Sequence, residues 1–222
     1  MTGFQRLTIA AAIALLTPGC MPHVMHGPRI EENGVSGTLS LTLGRNREVG
    51  DPSARILPSL YGGLRRSWMA SEGDGPAGSV GIQLPLLLAP VLFDANSGVD
   101  AVDALLATSY LDIYIQPVRR TEPGWESGIG VLGSTALAGP YVQVGRFGVE
   151  QGWYTTQLVT FTIGNDLGEG AIYMPTLVWR HRDIGASTAA NFSLGLGVPL
   201  TEDAGQTLVI AGVSFELGLR GN

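Results

Sequence analysis

The chain has 222 residues, of which 45% are hydrophobic and only 14% charged, with a formal net charge of −6. An ordinary soluble domain is about 25% charged, so part of this surface is not built to face water. All 13 basic residues are Arg, which excludes a P-loop lysine, a Schiff-base lysine and a Ser–Lys dyad. The acidic balance leaves no basic stripe to neutralise phosphates, so no nucleic-acid partner is expected. A single Cys cannot form an internal disulfide. With 32 Gly, roughly double the usual share of about 7%, the backbone is suited to turns, bulges and close approaches rather than long helices.

In chain order, the first element is a targeting segment. Arg6 gives a positive start, Leu7–Leu16 is a short apolar run, and Pro18 and Gly19 break any helix before Cys20. Such a run fits a signal peptide and is too short to span a bilayer as a helix. A small residue followed by a lone Cys, directly after the apolar run, resembles the bacterial lipoprotein signal. The match is incomplete, because Thr17 and Pro18 stand where that pattern prefers Leu and a small residue. The resemblance implies a signal peptide over 1–19, an acylated Cys20 at the start of the mature chain and, with Met21 rather than Asp next, sorting to the outer membrane. Membrane lipid is then an expected partner through the acyl anchor. Residues 21–33 are rich in Pro, His, Gly and charges and have no period, which reads as a flexible tether joined to Cys20.

From Gly34 to Asn222 the sequence alternates. Val35, Gly37, Leu39, Leu41 and Leu43 oppose Ser36, Thr38, Ser40 and Thr42, a period of two that marks a strand with one apolar face. The same pattern recurs over 79–86, 110–116, 191–198 and 209–220. Weaker strands are expected over 55–69, 127–134, 141–147, 153–163 and 171–181. Turn-like links such as SEGDGPAG, GNDLGEG and TEDAGQ join them, which implies antiparallel hairpins. The exception is 88–108, where Val99–Ala107 is expected to be a short helix with Ser97 as its N-cap. The expected fold is all-β: one antiparallel up-and-down barrel of about ten strands, Gly-rich, spanning 34–222.

Strands of ten residues rise about 33 Å, or roughly 23 Å of bilayer when tilted near 45°. The body thus resembles small bacterial outer-membrane β-barrels, in pattern rather than by any motif. Alternation alone does not say which face meets lipid; a soluble barrel gives the same string. Sparse charge on the polar faces, and Trp68, Trp125, Trp153 and Trp179 near expected strand ends, favour lipid outside. The C-terminal Leu219-Arg220-Gly221-Asn222 lacks the terminal aromatic of such barrels and argues the other way, as does a lipid anchor on a chain that already spans the membrane.

Chemistry is thinly represented. His181 follows Trp179 and Arg180 at a strand end, and no Ser or Cys nucleophile accompanies it in a known pattern; an interfacial polar cluster is the expectation. His23 and His26 lie in the tether without further metal ligands. Asn165, Asp166 and Glu169 read as a hairpin turn rather than a calcium loop. Arg65, Asp112, Arg146, Glu216 and Arg220 lie in strands and, in a membrane barrel, are expected to point into the lumen and pair there. No cofactor or metal is expected. The leading expectation is a non-enzymatic envelope component of the outer membrane, structural, assembly-related or handling small solutes. The alternatives are a soluble lipocalin-like lipoprotein with an apolar ligand, and a lipid-modifying barrel enzyme using His181. The sequence identifies neither a small-molecule ligand nor a protein partner.

Overall fold

The structure is a computed structural model describing residues 23–31, 33–48, 56–70, 73–87, 101–120, 122–163, 170–182, 188–200 and 206–219. Its strands are β1 (Gly34–Glu48), β2 (Ile56–Met69), β3 (Gly75–Leu87), β4 (Tyr110–Arg119), β5 (Gly124–Gly133), β6 (Leu137–Phe147), β7 (Gln151–Thr162), β8 (Ile172–Arg182), β9 (Thr188–Pro199) and β10 (Gln206–Leu219). Each pairs antiparallel with its neighbours in sequence, and β1 pairs with β10 from Val35↔Leu219 to Glu48↔Gln206, so the ten-stranded barrel is closed. Closure leaves no strand edge with unpaired backbone groups. The helix α1 (Ala101–Thr108) lies in the β3–β4 connection, where the sequence predicts a helix over Val99–Ala107; Ser97 and residues 99–100 lie outside the described residues.

The up-and-down order gives the barrel two unlike ends. The start of β1, the end of β10 and the links β2–β3, β4–β5, β6–β7 and β8–β9 share one end, here termed the terminal end. The β3–β4 connection with α1 lies at the opposite, loop end.

The apolar face of the alternation points outward. Leu39, Leu41 and Leu43 on β1, Val80, Ile82 and Leu84 on β3, Leu111, Ile113 and Ile115 on β4, and Leu194 and Leu196 on β9 are all exposed. Their polar neighbours Ser40, Thr42, Ser79, Gln83, Asp112, Gln116 and Asn191 are buried. This corrects the soluble, lipocalin-like alternative, which needs the opposite orientation of the same period. A wall of exposed Leu, Ile and Val around a closed sheet far exceeds the apolar patches of ordinary soluble proteins.

Two groups of described residues occupy the interior. At the loop end, Leu132, Leu137, Leu158, Ile172, Met174, Leu208 and Ile210 form an apolar cluster joined by Ala107 of α1. At the terminal end and midway along, the interior is occupied by residues 23–31. This corrects the expected tether over 21–33: Met25, His26, Gly27, Pro28 and Ile30 are buried, and the segment contacts inward side chains of β1, β2, β4, β5, β6 and β8. A segment without secondary structure stays inside because the wall supplies its backbone partners.

Candidate functional site in the barrel lumen

The seat of the N-terminal segment begins with an unusual wall. The inward positions of β5 include Gly128 and Gly130, and neighbouring β4 and β6 bring Tyr114 and Tyr141 inward. A Cβ on Gly128 would collide with the Tyr114 ring, and one on Gly130 with the Tyr141 ring. Both rings lie over the bare β5 backbone, parallel within 2° and with centroids 6.0 Å apart. Glycine is required at these two positions because the rings occupy the space of a side chain.

The rings hold His26. Its imidazole packs edge-on to Tyr114, with centroids 4.8 Å apart. Its Nε2 lies 2.9 Å from Asp112 Oδ2 and 3.0 Å from the Tyr141 hydroxyl, and Tyr141 donates to Asp112 Oδ1 at 2.6 Å. The His26 Nδ1 lies 2.9 Å from the Gly27 carbonyl oxygen. The His26–Asp112 contact is an ion pair whenever the imidazole is protonated. Side chains of the wall also satisfy the segment's backbone. Gln143 Nε2 donates to the His26 carbonyl at 2.7 Å, Tyr114 donates to the Pro28 carbonyl at 2.8 Å, and the Ile30 N–H donates to Gln116 Oε1 at 3.0 Å. These partners replace the water that an irregular backbone otherwise needs.

Two charge clusters complete the seat toward the terminal end. In the first, Gln116 Nε2 donates to Glu126 Oε2 at 2.5 Å, Arg29 Nε approaches Glu126 Oε1 at 4.0 Å, and Arg119 Nε donates to the Ile30 carbonyl at 3.0 Å. In the second, Arg180 lies 3.2 Å from Glu216 and 3.6 Å from Glu31, and Arg182 lies 2.7 Å from Glu31. Asn191 Nδ2 donates to Glu216 Oε1 at 2.9 Å. Glu31 therefore ties the segment to β8, and Arg180 ties β8 to β10. Removing one member of such a buried pair costs about 3–5 kcal/mol, because the other is left buried and uncompensated.

Of the five strand charges expected in the lumen, Asp112 and Glu216 are there, both buried and paired. Arg65 shares their inward phase and lines a cavity of about 20 Å³ with Met25, His26, Gln83 and Asp112. Arg146 corrects the expectation. The inward residues of β6 are Tyr141, Gln143, Gly145 and Phe147, so Arg146 has the outward phase and is exposed. Arg220 and the turn carrying Asn165, Asp166 and Glu169 lie outside the described residues, as does Cys20. Sequence reasoning missed Glu126, Arg180, Gln116 and Gln143, whose signal was present as long polar side chains on inward strand positions.

His181 has no nucleophile among its cross-strand neighbours, Gln151 and Ala190. Its ring stacks on Trp179, with centroids 5.9 Å apart. His23 Nε2 lies 2.9 Å from Ser40 Oγ, and Ser40 is buried in the lumen. No group of three or more His, Cys, Asp or Glu that could hold a metal occurs among the described residues.

On the outside, all four Trp sit toward the terminal end. Trp125 on β5 pairs with Arg146 on β6, Arg146 with Trp153 on β7, Trp153 with Trp179 on β8, and Trp179 with Phe192 on β9. These side chains form one continuous row around half the barrel, and Trp68 occupies the corresponding end of β2.

No family model and no curated protein matches the sequence. Among solved structures, the chain is similar to an outer membrane channel from Pseudomonas putida F1, at 9% identity and a TM-score of 0.45, over 90% of this chain and 99% of that one. It is also similar to Ail, the attachment invasion locus protein of Yersinia pestis, at 9% identity and a TM-score of 0.29, over 84% of this chain and all of that one. At these values the functional reading rests on the geometry of this chain alone.

Proposed function

We propose that the chain is a non-enzymatic β-barrel of the bacterial outer membrane, embedded through its apolar outer wall and sealed by its own N-terminal segment. Its role is structural in the envelope, with no open path for solutes while residues 23–31 are seated. The observation that carries this reading is the orientation of the alternation: Leu, Ile and Val outward on a closed barrel, with charge and tyrosine inward. Among strand side chains that the structure describes, the carboxylates of Asp112, Glu126 and Glu216 all point inward. A lipid-facing wall favours this, because a charge on it is destabilising at mid-membrane, by about 2–4 kcal/mol for Arg and less for Asp or Glu. Strands of 10–12 residues in β4–β9 match the height of a bilayer when tilted. The Trp row supplies an interfacial anchor.

The interior supports a sealed rather than a conducting barrel. The apolar cluster toward the loop end and the segment toward the terminal end support this reading. The chain from residue 21 onward, refolded with and without detergent, tests the reading. Folding only in detergent, with a gel mobility that changes on boiling, is expected; in planar bilayers the protein stays silent. A soluble, cooperatively folding monomer in plain buffer would remove the membrane assignment, and steady open conductance would remove the seal.

A further inference from the structure

We propose that the outer wall at the terminal end binds the phosphate of a membrane glycerophospholipid, with Arg146 as the anchoring group. The proposal rests on the reading of the chain as a membrane barrel.

Arg146 is the one charged member of the outward row and stands between two tryptophans in register, Trp125 on one side and Trp153 on the other. Those two rings meet edge-to-face with centroids 5.3 Å apart, across the strand that carries Arg146. Arg146 has no hydrogen-bond or ion-pair partner among the described residues, whereas the lumen cations Arg29, Arg119 and Arg180 are engaged. Beside it opens a cleft of about 380 Å³, lined by Arg146, Gln151, Trp153 and Trp179 and reaching the β6–β7 turn at Gly148. A guanidinium is a planar fork matched to two phosphate oxygens, and tryptophan settles at headgroup depth. The arrangement therefore offers a cation at the level of lipid phosphates, flanked by surfaces for the glycerol and upper acyl carbons. Charge complementarity favours an anion: no outward carboxylate stands on the described strand positions, and the exposed Glu122 and Glu150 at this end lie in turns.

Arg66 supplies an internal comparison. It too faces outward, two residues from Trp68 on β2, but its cross-strand neighbours are Val35 and Val80 and it lines no such cleft.

The test uses the full-length protein purified in detergent and titrated with phosphatidylglycerol, with diacylglycerol of the same chains as the phosphate-free control, and bound lipid read by native mass spectrometry. Wild type is expected to retain one phosphatidylglycerol and no diacylglycerol. Arg146→Gln is expected to weaken retention about tenfold, the scale of one lost charge-assisted contact, while Arg66→Gln leaves it unchanged. Equal retention by Arg146→Gln and wild type would overturn the site. Equal weakening by both substitutions would overturn it as well, by showing general surface attraction. Displacement of the lipid by inorganic phosphate alone would make the ligand a free anion and overturn the lipid assignment. Flotation of the same preparation with phosphatidylcholine vesicles keeps the two readings apart. A barrel that floats but retains no lipid loses only this site, and one that does not float loses the membrane reading and the site together.

Discussion

Asp112→Ala is the perturbation that best reports whether residues 23–31 are held as described. The Asp112 carboxylate accepts from Tyr141 at 2.6 Å and faces His26 Nε2 at 2.9 Å, and all three residues are buried. Alanine leaves the Tyr141 hydroxyl and the His26 ring without that acceptor, and a buried donor left unmatched costs about 1–3 kcal/mol. Two such groups, partly relieved by pairing with each other, give about 3 kcal/mol against the seated state. That is roughly a hundredfold rise in the unseated population, at about 1.4 kcal/mol per factor of ten. Trypsin reads it directly, because Arg29 lies within the segment and its side chain is largely covered. When opening is faster than cleavage, the cutting rate follows the open population, so the peptide ending at Arg29 should appear about a hundredfold faster. Asp112→Asn keeps an oxygen for Tyr141 and should give a smaller increase. Cleavage after Arg29 at the wild-type rate in Asp112→Ala would show that the His26–Asp112–Tyr141 cluster does not hold the segment.

Three further outcomes follow from the same geometry. Gly130→Val places a side chain where the Tyr141 ring lies; overpacking of this kind costs about 1–3 kcal/mol, and the temperature at which the barrel loses its compact gel mobility should fall. An unchanged temperature would mean that the ring has another place to go. Glu216→Ala leaves Arg180 and Asn191 buried with a lost partner, a loss of about 3–5 kcal/mol, whereas Glu216→Leu with Arg180→Met should cost markedly less; denaturant titration in detergent compares them, and equal losses would argue against a coupled pair. An epitope inserted at Asn96, in the β3–β4 connection at the end opposite the start of β1 and the end of β10, should be reached by antibody on intact cells, and one placed in the β6–β7 turn should not; the reverse would invert the barrel in its membrane.

The architecture was legible because a half-buried strand writes its two faces into alternate residues. Val35–Leu43 and Val209–Leu219 show this over their whole length, and turn chemistry separates them from their neighbours. Closure followed from strand number and short links. The direction of the faces was not written in the alternation, since Leu39 reads the same against lipid as against a core. The lumen segment was illegible for a different reason. His26, Pro28 and Ile30 are held largely through backbone carbonyls and N–H groups by Gln143, Tyr114, Gln116 and Arg119, and such contacts impose no period on the segment itself. Their trace lies on the wall instead, where Asp112, Tyr114 and Gln116, then Glu126, then Tyr141 and Gln143 put large polar groups on consecutive inward positions. Arg146 was misplaced by a single step of parity, which in a strand exchanges lumen for lipid.

The seated segment also bears on the acyl anchor expected at Cys20. His23 is bonded to Ser40, the seventh of the fifteen residues of β1. Seven strand residues rise about 23 Å, or roughly 16 Å along the barrel axis at a tilt near 45°. Cys20 is three residues from His23, and three residues of fully extended chain reach only about 10 Å. An acyl chain on Cys20 lying in the bilayer therefore requires part of residues 23–31 to leave the lumen. An acyl chain at Cys20 and full seating of residues 23–31 would then exclude each other. Labelling cells with a palmitate analogue and digesting the purified protein with trypsin tests this. The labelled fraction should be cut after Arg29 faster than the unlabelled one. Equal protection of Arg29 in both fractions would show that acylation leaves residues 26–31 seated, since six extended residues between Cys20 and His26 already reach about 20 Å.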